Sequence, residues 1–164
     1  MQAESPALPA AAAFRHPNFR FFMAARFLVI LALEMQALAV AWQVYALTQR
    51  PLDLGLVGLA QFMPAILLFL VSGHAADRFP RERIVLLCCA VFSLCSVGLL
   101  SLTLGGVRSV YPIYAVLLLN GAVRAFNGPA GQSLVPLLVP GAHFQNAVTW
   151  NASLIQAGML LGPV

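Results

Sequence analysis

An all-α, polytopic membrane fold is predicted for this chain by three observations. Of its 164 residues, 61% are hydrophobic and 9% are charged, against about 25% charged in soluble domains, so there is too little polar surface to cover such a core in water. The apolar residues fall into runs of roughly 17–25 between short polar breaks, the length an α-helix needs to cross about 30 Å of hydrocarbon. The short alternating segments of a membrane barrel are absent from the sequence, and a helix satisfies its own backbone where no water is available.

The formal charge of +4 comes without a single lysine, and the arginines sit mostly at the ends of apolar runs. That is a topology signal, and it excludes a nucleic-acid-binding patch. Cys88, Cys89 and Cys95 share one apolar segment with neither zinc-site nor disulfide-framework spacing, and read as small apolar filler. No metal and no cofactor is expected.

Residues 1–20 read as a cytoplasmic tail. They hold Pro6, Pro9, an alanine run and the cluster Phe14-Arg15-His16-Pro17-Asn18-Phe19-Arg20, with no compact apolar stretch ahead of a cleavage site, so a cleaved signal peptide is not expected. Span one covers about 21–47 and ends at Thr48-Gln49-Arg50-Pro51-Leu52-Asp53, because Pro51 removes a donor. Span two covers about 55–75, and the break Asp77-Arg78-Phe79-Pro80-Arg81-Glu82-Arg83 follows. Span three covers about 84–104 and turns at Gly105-Gly106. Span four covers about 110–135, with a kink expected at Gly128-Pro129 and the next loop bounded by Pro136 and Pro140. Span five covers about 146–164 and reads as cut off inside a helix.

Six arginines (Arg15, Arg20, Arg26, Arg78, Arg81, Arg83) fall on the side of the N-terminus and two (Arg50, Arg108) on the other. The positive-inside rule then puts the N-terminus in the cytoplasm.

Two charges fall inside spans. Glu34 lies midway along span one, where a charge facing lipid costs at least about 2.5–3.5 kcal/mol, so it must face a cavity or a partner. Gln36, Trp42, Gln43 and Tyr45 give the same span a polar, aromatic side for a substrate. A buried carboxylate holds its proton until water or a cation arrives, as a proton-coupled site requires; a structural hydrogen-bonding role at a wet pore mouth is the alternative. Arg124 lies about thirteen residues into span four, roughly 20 Å along it. It cannot release a proton, but it can influence a neighbouring carboxylate or hold helix carbonyls, unless it snorkels to the cytoplasmic end. Asn127-Gly128-Pro129 opens the backbone beside it.

Between spans two and three, Gly73, His74 and two alanines lead into Asp77, Arg78, Arg81 and Arg83. Small residues permit close helix approach, the acid can complement a helix N-terminus, and the arginines can pair with acids or lipid phosphates. Gly73, Asp77, Arg78, Arg81 and Arg83 resemble the loop 2–3 motif of the major facilitator superfamily. Arg124-x-x-Asn127-Gly128 is similar to its fourth-helix motif, with Asn127 in place of glutamine, and Gly158-x-x-x-Gly162-Pro163 resembles the first part of the fifth-helix motif of exporters and antiporters. Pro80 and Glu82 depart from the loop pattern. The stretches Met35-Gln36 to Tyr45, Leu54 to Leu59 and Arg124 to Ala130 look like the branch that holds enterobactin exporters and multidrug-efflux carriers.

The resemblance implies a twelve-helix carrier in the bacterial inner membrane, of which this chain supplies the first five helices, with the C-terminal half as its partner. Asp77 would latch one conformational state, and Gly158, Gly162 and Pro163 would bend helix five. The function expected is proton-coupled export of amphiphilic small molecules or siderophores; small-molecule substrate, protons and membrane lipids are the partners. A truncated product without transport activity is the alternative. An intramembrane enzyme is disfavoured, since His16, His74 and His143 are scattered and no two acids share a span.

Overall fold

The computed structural model describes residues 12–163, and among them six α-helices and no strand. A 3-10 turn at Ala12–Arg15 leads into α1 (Pro17–Thr48), followed by α2 (Pro51–Leu67), α3 (Phe69–Arg78), α4 (Arg81–Leu104), α5 (Tyr111–Leu138) and α6 (Phe144–Leu161). Proline opens α1, α2 and α5 within the first two positions, where its missing N–H costs no helical bond. α1 stops at Gln49, whose left-handed backbone (φ 55°) lets its N–H bond the Tyr45 carbonyl at 2.8 Å, and Pro51 prevents the helix from resuming.

Two segments differ from the expected pattern. The stretch 55–75 is a pair of helices, α2 and α3, bent by 52° about Leu68. Pro64 removes a donor in the last turn of α2, and the Ser72 hydroxyl bonds the Phe69 carbonyl at 2.8 Å, a back-bond that loosens the following turn. Conversely, α5 passes through Gly128-Pro129 and Pro136 without interruption and ends at Leu138. Neither proline stops it, because helices on several sides hold its backbone in place.

α1 and α4 are each long and apolar enough to cross a membrane, and α2 with α3 makes a third crossing if counted as one span. α5 and α6 fall short of that test among the described residues. The cause is their polar content: Asn120, Arg124, Asn127 and Gln132 on α5, and Gln145, Asn146, Asn151 and Gln156 on α6. The outward side of α4 is the opposite case, with Leu86, Leu87, Leu94, Val97 and Leu104 all exposed, an arrangement suited to hydrocarbon as solvent.

Packing is concentrated at two ends. At one, Val40, Val44, Val57, Ala60, Leu99, Ile113 and Leu117 join α1, α2, α4 and α5. At the other, Ala13, Phe19, Met23, Val135, Val139 and Ala147 join the 3-10 turn to α1, α5 and α6. Val44 is twenty-one residues from Met23 along α1, so the two clusters lie about 30 Å apart. A third cluster of Cys88, Phe92 and Val123 fastens α4 to α5 between them. α2 and α5 cross most tightly at Gly121, where any Cβ would overlap the Gln61 carbonyl.

Candidate functional site

Between the two end clusters lies a cavity of about 290 Å³ walled by α1, α4, α5 and α6. Helical spacing explains its lining. On α1 the contributing residues are Phe22, Ala25, Arg26, Val29, Ile30, Leu33 and Glu34, a stripe that repeats every three or four residues and so occupies one face. On α5 they include Arg124, Asn127, Gly128 and Gly131, related in the same way. The two helices meet in rungs, with Glu34 opposite Arg124 and Arg26 opposite Gly131. Eight residues separate the rungs along α1, or about 12 Å.

The Arg124 guanidinium donates from Nη2 to Glu34 Oε1 at 2.9 Å. The arginine is therefore turned towards α1 and does not reach along its helix to the membrane surface. The side chains keep 36% and 24% of their surface accessible, so the pair is open to whatever fills the cavity. Asn127 lies one turn along α5 from Arg124 and lines the same wall.

Gln36 and Gln43 sit elsewhere. The Ser96 hydroxyl donates to Gln36 Oε1, and the Thr103 hydroxyl donates to Gln43 Oε1 at 3.0 Å, so both amides are engaged by α4 and neither lines the cavity. Two residues along a helix turn through about 200°, which puts Gln36 on a different face from Glu34. Gln43, seven residues on, returns to the face of Gln36. Trp42 is largely exposed and borders a second, shallower groove with Met35, Leu38, Ala39, Gly162 and Pro163.

The fifth-helix glycines do pack against the cavity helix. A Cβ at Gly158 would come within 2.8 Å of Ile30 Cγ2, and one at Gly162 would overlap Glu34 Cβ. Both positions thus let α6 lie close to α1. Gly158 is inside α6, whereas Gly162 and Pro163 form the turn that follows it.

Of the loop between α3 and α4, Arg81 reaches from the start of α4 to the Ser133 carbonyl of α5 at 2.9 Å. Arg78 and Arg83 are exposed. Gly73 is not a point of close approach, since a Cβ there would meet nothing within 4 Å among the described residues. The Asp77 side chain lies outside the described residues.

Arg26, counted with the arginines on the N-terminal side, is also a cavity residue that the sequence did not single out. It sits nine residues inside α1, with its guanidinium 5.7 Å from the Phe22 ring centroid. The signal was present: Arg26, Ile30 and Glu34 are spaced by four, and that places them on one side of a helix. Among the described residues, no three of His, Cys, Asp or Glu are grouped to hold a metal ion.

The family described as transmembrane secretion effector matches residues 8–163 of the chain. Similar proteins include the Enterobactin exporter EntS of Citrobacter koseri and that of Shigella boydii serotype 18. Each is 27% identical over 156 residues, which is 91% of this chain and 36% of the relative. The chain thus spans about a third of the length of the curated relatives it matches. No solved structure matches it.

Proposed function

Because the chain belongs to the transmembrane secretion effector family of the major facilitator superfamily, we propose that it forms the first part of a proton-coupled exporter of amphiphilic small molecules or siderophores. The observation that carries this reading is the ion pair between Glu34 on α1 and Arg124 on α5, on the wall of a cavity. Glu34 is the carboxylate to which the proton-coupling role falls; Arg124 stays charged and holds it at 2.9 Å. Protonation of Glu34 weakens the pair and frees the guanidinium, so proton binding and the spacing of two cavity helices are linked. The relatives are named as enterobactin exporters, and a siderophore of that kind is the first substrate to try.

The test is secretion of enterobactin by cells that lack their own exporter and express the full-length protein, with and without a protonophore. Secretion that collapses with the proton gradient is expected. Secretion that survives it would reject proton coupling, and no secretion of enterobactin or of a panel of amphiphilic dyes would reject export.

In the same reading, the turn between α3 and α4 faces the cytoplasm, supported by Arg78, Arg81 and Arg83 and the positive-inside rule. Gly73, Asp77 and these arginines form a conformational latch against the other half of the carrier. A cysteine replacing Glu82 in a full-length protein whose native cysteines have been removed is expected to resist a membrane-impermeant maleimide in intact cells. It should react once the membrane is opened, and labelling in intact cells would reverse the topology.

A further inference from the structure

We propose that Arg26 is an anion-binding residue of the cavity and that the preferred ligand carries a carboxylate or a similar single anionic oxygen group on a compact apolar body. The inference rests on the cavity being the binding site of the exporter proposed above. Charge balance is the first argument. Arg124 is offset by Glu34, whereas Arg26 has no acidic partner among the described residues, which leaves the cavity with one uncompensated positive charge. Its Nη1 atom is buried and has no hydrogen-bond partner. A guanidinium cannot escape this by losing its proton, and a half-buried charge with one buried, unpaired nitrogen is unfavourable, so an anion seated there offsets that cost.

Room is made for this group by the sequence. A Cβ at Gly131 would lie 2.5 Å from Arg26 Nη1; with glycine there, the guanidinium fits between α1 and α5. Phe22 supports it at 5.7 Å, as cation–π contacts do. The fork of a guanidinium matches a carboxylate in two parallel hydrogen bonds. Around it, Phe22, Val29, Ile30, Ile155 and Met159 offer an apolar wall, and Asn127 and Gln132 offer amides for a further oxygen. The volume of about 290 Å³ lies at the small end of ligand pockets, about 300–1,000 Å³, and suits one fused-ring acid or the anionic end of a larger molecule.

The experiment uses the purified full-length protein in phosphatidylcholine nanodiscs, with 2-naphthoate and its neutral analogue 2-naphthamide as probes. On the unaltered protein, the acid is expected to bind at least about tenfold tighter than the amide. Arg26→Gln should remove that preference and Arg26→Lys should keep most of it. Gly131→Ala, which displaces the flexible end of Arg26, is a second variant and should narrow the preference for the acid. Equal affinity for acid and amide on the unaltered protein would overturn the proposal without any variant, as would a preference that survives Arg26→Gln. Loss of naphthoate binding in phosphatidylglycerol nanodiscs would assign the guanidinium to a lipid phosphate and overturn it as well. Secretion with no acid preference would sink this inference alone, and an Arg26-dependent acid preference without secretion would sink only the export reading.

Discussion

Neutralising either member of the Glu34–Arg124 pair in the full-length protein is expected to lower proton-driven efflux by at least about tenfold, but the two variants should differ in stability. Glu34→Gln leaves a guanidinium that keeps its charge at any working pH. Arg124→Gln leaves a carboxylate that can neutralise itself by taking a proton. Breaking a fully buried pair costs about 3–5 kcal/mol; this pair is about a third exposed on one side and a quarter on the other, so a loss of about 2–3 kcal/mol is expected for Glu34→Gln and less for Arg124→Gln. The double variant should recover much of the stability through an amide–amide hydrogen bond and none of the proton-driven efflux. Thermal unfolding in detergent and efflux across an imposed pH gradient, measured on all three variants, check the set. Equal destabilisation by the two single variants would remove the argument from charge, and efflux retained by Glu34→Gln would remove Glu34 from coupling.

Gly162→Leu is expected to act on the same carboxylate without changing any charge. The first added carbon already overlaps Glu34 Cβ, which is fixed close to the α1 backbone and cannot swing aside as the end of a long side chain can. α6 must therefore move away from α1, at a cost of about 1–3 kcal/mol for overpacking, and Glu34 is displaced from Arg124. Efflux should fall about as far as in Glu34→Gln. Gly131→Leu is the instructive comparison, because there the first obstacle is the mobile end of Arg26. Gly162→Leu with normal pH-dependent efflux would show that the contact between α6 and α1 does not position the acid.

Much of this arrangement was legible in the sequence, and the parts that were not have physical causes. The apolar runs that become α1 and α4 stand out by length and hydropathy. Glu34 and Arg124 announced themselves because a charge within an apolar run needs a reason, although nothing local said that they would meet across ninety residues of chain. The polar residues of α1 do not act together, since Glu34 and Gln36 are two residues apart in sequence but face different neighbours. Arg26 stands close to the tail in sequence, and its place on the cavity wall follows only from its helical register with Glu34. The bend at Leu68 was not marked by any glycine or proline at that residue; its causes lie four residues to either side, at Pro64 and Ser72.

The separation of the two apolar clusters from the cavity has an evolutionary implication. The two larger clusters lie at the extremities, with residues such as Val44, Ile113, Phe19 and Val135, while Ile155 and Met159 in the waist belong to none of the clusters and line the hollow. Descendants of this scaffold can exchange those waist side chains, and so drift in what they recognise, without having to rebuild the frame that holds them.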